Sequence, residues 1–236
     1  MIDRIAKEKL NIILLIDASK SMQGKRIKQV DQAILDIKDY LIELQNENTN
    51  VDFYLTLIPF ATEASFYQNS VSTLVNNFKY EGIKCKGYSN LHLGYEKLSE
   101  IMAKESKGGI MPDFGGAAPI VLLLTDGHPT GNSYKEKLET LRKIPWFKAA
   151  LRYGIAIELN DNRTHEVLRD FVENNGDVIN CYNSSMLKDI IKIIVLTASK
   201  VRSTTSNIAS GPHVTQNQVA KQLIAEALSE TESWGW

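Results

Sequence analysis

The stretch NIILLIDASKSM, residues 11–22, runs five apolar residues, Ile12 to Ile16, into Asp17, then sets Ser19 and Ser21 on alternate positions. An uninterrupted apolar run of this kind predicts a strand buried on both faces, as in the middle of a parallel sheet. Packing gives such a strand no reason to end on an aspartate and two serines. The stretch therefore predicts a fold and, at the end of its strand, a polar site.

Similar runs recur along the chain. PIVLLLTD (119–126) and YGIAIEL (153–159) read as further central strands, and DVINCY (177–182) as a weaker last one. VDFYLTLIPF (51–60) leads through Ala61, Thr62 and Glu63 into ASFYQNS (64–70), two pieces too close together to hold a crossover helix. They are expected to pair antiparallel at one sheet edge. Between the strands, KRIKQVDQAILDIKDYLIELQNE (25–47) places Ile27, Val30, Ile34, Ile37, Leu41 and Leu44 on one helical stripe. Residues 91–106, 134–144, 163–174 and 185–202 follow the same period. The alternation predicts an α/β, doubly wound, Rossmann-like domain: a mostly parallel six-stranded sheet with one antiparallel edge strand and helices on both faces.

Composition narrows the class. With 236 residues, 43% hydrophobic and 23% charged, the chain suits one globular domain, and no apolar run is long enough to span a bilayer. The net charge of −1 supplies no field for a phosphate backbone, so nucleic acid is not an expected partner. Cys85 and Cys181 have no Cys or His neighbour at ligand spacing and read as free thiols. The opening MIDRIAKEKL shows no signal-peptide core, and the expected location is cytoplasmic. Residues 1–202 form the expected domain, 203–213 have linker composition, and 214–236 place Val219, Leu223, Ile224 and Leu228 on one face of an amphipathic tail.

In open α/β sheets ligands bind beyond the carboxyl ends of the strands, where the strand order reverses. Two of the strongest strands end there on aspartate, at Asp17 and at Asp126 of the Thr125-Asp126-Gly127 turn. Either alone reads first as a helix cap or a loop hydrogen bonder. Side by side on neighbouring strands, two carboxylates need a proton, a cation or a basic side chain. Hard divalent ions such as Mg²⁺ or Mn²⁺ take oxygen ligands, and hydroxyls add oxygen without adding charge. Ser19, Ser21 and Ser89, the last just before the 91–106 helix, are the candidate hydroxyls.

With these residues in view, DASKS, GYSNL and LLLTDGHPTG resemble the three motifs of von Willebrand factor A domains that carry a metal-ion-dependent adhesion site. The resemblance runs from about residue 9 to 202 and is greatest to bacterial TerY-like proteins of tellurium-resistance and stress-response systems. It implies that Asp17, Ser19, Ser21, Ser89 and Asp126 hold a divalent ion, with Lys20, Tyr88 and His128 on the rim. It implies a non-catalytic module whose ion captures an Asp or Glu of a protein partner, with serine/threonine kinases or phosphatases as the associated partners. Lys20 stands where the family most often has Gly and adds positive charge near the ion. Ser89 stands where Thr is commonest.

The alternative is an Mg²⁺-dependent phosphoryl-transfer or hydrolytic enzyme using Asp17. Against it, Ser19 replaces the second aspartate of the phosphatase pattern, and neither serine sits in a G-x-S-x-G elbow. The glycines of 108–116 lack a phosphate-loop signature. The basic residues Lys25, Arg26 and Lys28 flank the site entrance and are expected to form a solvated face, the alternative being a patch that attracts acidic partners.

Overall fold

A computed structural model describes residues 7–47, 50–158, 162–174 and 176–205, together with 222, 223 and 226. The elements run β1 (Glu8–Asp17), α1 (Lys25–Glu47), β2 (Val51–Phe60), β3 (Thr73–Leu74), α2 (Leu91–Ile101), β4 (Ile120–Thr125), α3 (Ser133–Arg142), α4 (Pro145–Ala149), β5 (Leu151–Ile157), α5 (Asn162–Val172), β6 (Val178–Cys181) and α6 (Ser184–Thr205). They build one six-stranded sheet in the order β3-β2-β1-β4-β5-β6, parallel except at β3.

The run that opened the sequence lies at the sheet centre, and its two-residue period divides the core. Leu10, Ile12, Leu14 and Ile16 pack with Ile120, Leu122 and Leu124 of β4 against α1 and α6. Ile13 and Leu15 pack with Val121 and Leu123 against α2, α3, α4 and α5. On α1, Ile27, Val30, Ile34, Ile37 and Leu41 are buried, each worth about 1.5–3 kcal/mol when fully removed from water. Leu44 is only partly buried, and Gln45 takes the last inward position, accepting the Phe53 N–H of β2.

Three expectations need correction. Residues 64–70 are not a strand: Gln68 and Asn69 hold left-handed φ values of 51° and 53°, which turn the chain out of extension. The antiparallel edge strand is Thr73–Leu74, paired with Leu55 and Tyr54, and the earlier piece keeps only the bridge between Phe60 and Ala64. The helix expected over 91–106 ends at Ile101, because the chain doubles back through a turn to bridge Lys104 with Met111. That return is close enough that a Cβ on Gly109 would sit 1.9 Å from the Ala103 carbonyl oxygen. Finally, the helix expected over 134–144 is α3, which ends at Arg142, and a further short helix not expected from the sequence, α4, starts with Pro145 at a helix-opening position. Of the linker expected at 203–213, residues 203–205 instead continue α6, and 206–213, with most of the 214–236 tail, lie outside the described residues.

Chain order reverses between β1 and β4: from β1 the path goes to β2 on one side and returns to β4 on the other. Asp17 ends β1, and Asp126 follows the last residue of β4. Both carboxylates thus stand at the switch point where α/β sheets bind ligands.

Candidate functional site

Three loops meet above β1 and β4, stitched by backbone bonds. The 17–21 loop receives Lys86 N–H at the Ala18 carbonyl (2.8 Å) and gives Lys20 N–H to the Gly87 carbonyl (3.0 Å). The 86–90 loop in turn accepts Thr130 N–H at the Ser89 carbonyl (2.7 Å), and Asn90 N–H reaches the Ala61 carbonyl (3.1 Å). These bonds fix Ser89 beside the serine loop although Ser89 lies 68 positions after Ser21.

All five proposed ligands converge. Asp17 is fully buried, Ser19, Asp126 and Ser89 are buried, and Ser21 faces solvent. Asp17 Oδ1 accepts Ser19 N–H (2.9 Å), and its Oδ2 accepts the Ser89 hydroxyl (2.8 Å). Ser21 Oγ donates to Asp126 Oδ1 (2.8 Å), so the 3.0 Å contact between the two serine hydroxyls has Ser19 as donor. Among the rim candidates, Lys20 and His128 are exposed, the His128 ring lying edge-on to Tyr134, and Tyr88 is 70% exposed.

Sequence reasoning missed three members. Thr125 Oγ1 donates to Asp17 Oδ2 (2.8 Å), one step beyond the paired Ile16 and Leu124. A lone hydroxyl closing the apolar run IVLLLT was its signal. Arg26 does not belong to a solvated face: its Nη1 pairs with Asp126 Oδ2 at 2.6 Å and donates to the Ser21 carbonyl at 3.1 Å. Glu158, just past β5, receives Lys25 Nζ (2.5 Å) and Gln29 Nε2 (2.7 Å), with Arg26 Nε 3.8 Å away. The signal for both was an α1 first turn with Lys25, Arg26 and no acidic residue, the reverse of what the helix dipole favours.

The two aspartates differ in electrostatics. Asp126 has a cationic partner, while among the described residues no basic side chain pairs with Asp17. Burial accordingly pushes the Asp17 carboxyl upward, against the hydrogen bonds from Ser19, Thr125 and Ser89 that favour its charged form. The Lys25 contact holds Glu158 below the usual carboxylate range. Nearby, burial together with the charges of Asp17, Asp31 and Asp126 pushes the Cys85 thiol up to about 11.

Among the described residues, no three His, Cys, Asp or Glu side chains form a metal cluster. The donors are instead two carboxylates and three hydroxyls, an all-oxygen set whose chemistry suits a hard divalent ion. The fully buried Asp17 carboxyl, with no basic partner among the described residues, is the group such an ion would hold in its charged form.

The comparisons with known proteins agree with this architecture. The family model for the von Willebrand factor type A domain matches residues 11–196, and the chain belongs to that family. It is 30% identical over 184 residues to inter-alpha-trypsin inhibitor heavy chain H3 of Mus musculus, covering 74% of this chain and 19% of the relative. Heavy chain H1 of Sus scrofa is 32% identical over 130 residues, 53% of this chain and 14% of the relative. The chain thus spans about a fifth or less of the length of these curated relatives. Among solved structures, a von Willebrand factor type A protein from Catenulispora acidiphila superposes with TM-score 0.58 at 12% identity, over 81% of this chain and 43% of its own. A D319A mutant of the PilB minor pilin from Streptococcus sanguinis gives 0.58 at 13%, over 88% and 64%. Domains of this family act as protein-interaction modules and often bind a divalent metal at an adhesion site. Among the described residues no helix is long and apolar enough to cross a membrane.

Proposed function

We propose that this domain binds a divalent cation, Mg²⁺ or Mn²⁺, through Asp17, Ser19, Ser21, Ser89 and Asp126, and with it captures an acidic side chain of a protein partner. The observation that carries this reading is Asp17, fully buried with only neutral donors around it and a second carboxylate alongside. When bound, the cation supplies a positive centre able to accept one more carboxylate oxygen.

Each residue has a part in that binding. Asp17 and Asp126 offer negative oxygens, and the three serines offer neutral ones. Thr125 holds the Asp17 carboxylate from below and leaves the upper side of the site to solvent, where Ser21 and Lys20 are exposed. Counting Asp17, Asp126 and Glu158 against Lys25 and Arg26 leaves one negative charge. A divalent ion reverses this to one positive charge, which a single Asp or Glu from a partner neutralises. Exposed Lys20 adds to the pull on an acidic partner.

A scaffold role for a kinase or phosphatase partner in a cytoplasmic, bacterial, TerY-like stress or tellurium-resistance system is the setting we infer from the TDGHPTG turn. A non-catalytic role is favoured over phosphoryl transfer because Ser19 stands where the phosphatase pattern has its second aspartate, and neither Ser19 nor Ser21 sits in a nucleophile elbow.

The test is capture from extract of the source cell, with Mg²⁺ or with chelator. The immobilised protein is expected to retain a partner only with Mg²⁺, and to lose it when Ser19 and Ser21 are both replaced by Ala. Identical retention under every condition contradicts metal-dependent capture.

A further inference from the structure

Arg26 lies between two carboxylates. Its Nη1 is 2.6 Å from Asp126 Oδ2 and its Nε is 3.8 Å from Glu158 Oε2. The side chain is 31% exposed and Asp126 only 1%, so the arginine has room to move and the aspartate has not. Glu158 is itself built for a cation. It is a non-glycine residue at a left-handed φ of 51°, it gives its backbone N–H to the Cys181 carbonyl (2.7 Å), and it already gathers Lys25 and Gln29.

We propose that Arg26 sets how readily the site accepts a divalent cation, holding Asp126 in the cation-free protein and passing to Glu158 when a cation enters. This rests on the cation-site reading above. A guanidinium and a divalent ion are like charges competing for one buried carboxylate, and both cannot neutralise it. Asp17, which has no basic partner among the described residues, offers Arg26 no equivalent contact. Glu158 does: from the Asp126 contact, Arg26 reaches it by side-chain rotation alone, with α1 in place. The loaded site then has the cation on the two aspartates and Arg26 with Lys25 on Glu158, which leaves the one positive charge that a partner's carboxylate neutralises.

The arrangement also ties site occupancy to the serine loop. The same Nη1 donates to the Ser21 carbonyl, so Arg26 fastens the 17–21 loop to α1. Its departure frees that loop at the moment the serine hydroxyls are needed elsewhere. Arg26 is thus an internal placeholder and a brake on occupancy, and Glu158 is the residue that releases the brake.

The test is a double-mutant cycle on the full chain, with Mn²⁺ as the probe and free Mn²⁺ read by electron paramagnetic resonance. Circular dichroism in chelator checks that each variant is folded. Arg26→Gln is expected to bind Mn²⁺ about tenfold tighter than wild type. Glu158→Gln is expected to bind several-fold more weakly, because Arg26 then has only Asp126. The distinguishing result lies in the double variant, where the Glu158→Gln penalty largely disappears because no arginine remains to be released. Equal affinity of wild type and Arg26→Gln, or a Glu158→Gln penalty undiminished in the double variant, overturns the placeholder role and leaves the cation site standing. Absence of Mn²⁺ binding in all four proteins overturns the cation site, and this inference with it.

Discussion

Asp17 and Asp126 end neighbouring stretches of one sheet, yet one is surrounded by hydroxyls and the other by an arginine. Spacing along the chain revealed both aspartates, since a carboxylate closing an apolar strand has no packing role. It also revealed Ser19, Ser21 and Ser89, as oxygens without charge beside them. Thr125 and Arg26 left only faint local signals for a common reason: their partners, Asp17 and Asp126, lie 108 and 100 positions away, so strand register rather than local spacing creates the contact. At this scale the sharpest test of the loop geometry is Gly87. Its φ is +69° and a Cβ there would lie 1.9 Å from Thr62 Oγ1, which accepts the Tyr88 N–H. Gly87→Ala is expected to lose roughly 1–3 kcal/mol of stability in urea unfolding with chelator present, and to weaken the response to Mg²⁺ by moving Ser89. A variant as stable and as responsive as wild type means the loop holding Ser89 does not depend on this close approach.

Whole elements were legible where hydrophobic period and length agree, as in α1, which covers the expected 25–47, and in β1 and β4. Elements failed where a local conformation overrode the pattern. The aromatic run at 64–70 has strand-like residues, but its left-handed pair turns it away from β2, and two residues farther on make the edge. β5 also begins earlier than the expected 153, at Leu151, and takes in the charged Arg152. That arginine is 1% exposed and joins three elements. It donates to the Phe147 carbonyl of α4 and the Val172 carbonyl of α5, pairs with Glu173 at 2.7 Å, and lies 4.4 Å over the Phe147 ring. Burial lowers its pKa, chiefly against the charge of Glu173. Arg152→Met is expected to cost about 2–4 kcal/mol by urea unfolding, because buried carbonyls lose their donor, with the Mg²⁺ response of the folded protein unchanged. A neutral substitution means packing alone fastens α4 and α5 to β5.

At the scale of the molecule, the doubly wound order follows from alternating apolar runs and amphipathic helices, and so was visible without coordinates. What the order adds is convergence. It sends the ends of β1, β4 and β5 to one edge, so that Asp17, Asp126 and Glu158 share it with the first turn of α1. The third of these carboxylates went unnoticed in the sequence because Glu158 follows its strand with no serine or glycine motif around it. The fold brings negative charge together at the switch point and then leaves part of it, on Asp17, without a cation among its described neighbours.

The central claim is that this charge belongs with a divalent ion, and thermal unfolding under Mg²⁺ titration tests it most directly. A ligand bound only by the folded state adds about 2.7 kcal/mol at a hundred times its Kd, which for a domain of this size is a rise in Tm of roughly 5–10 °C. The account predicts that rise in the wild type, its reversal by chelator, and its absence in Asp126→Ala. A wild-type Tm that stays the same from chelator to saturating Mg²⁺ and Mn²⁺, or an equal rise in Asp126→Ala, would contradict it.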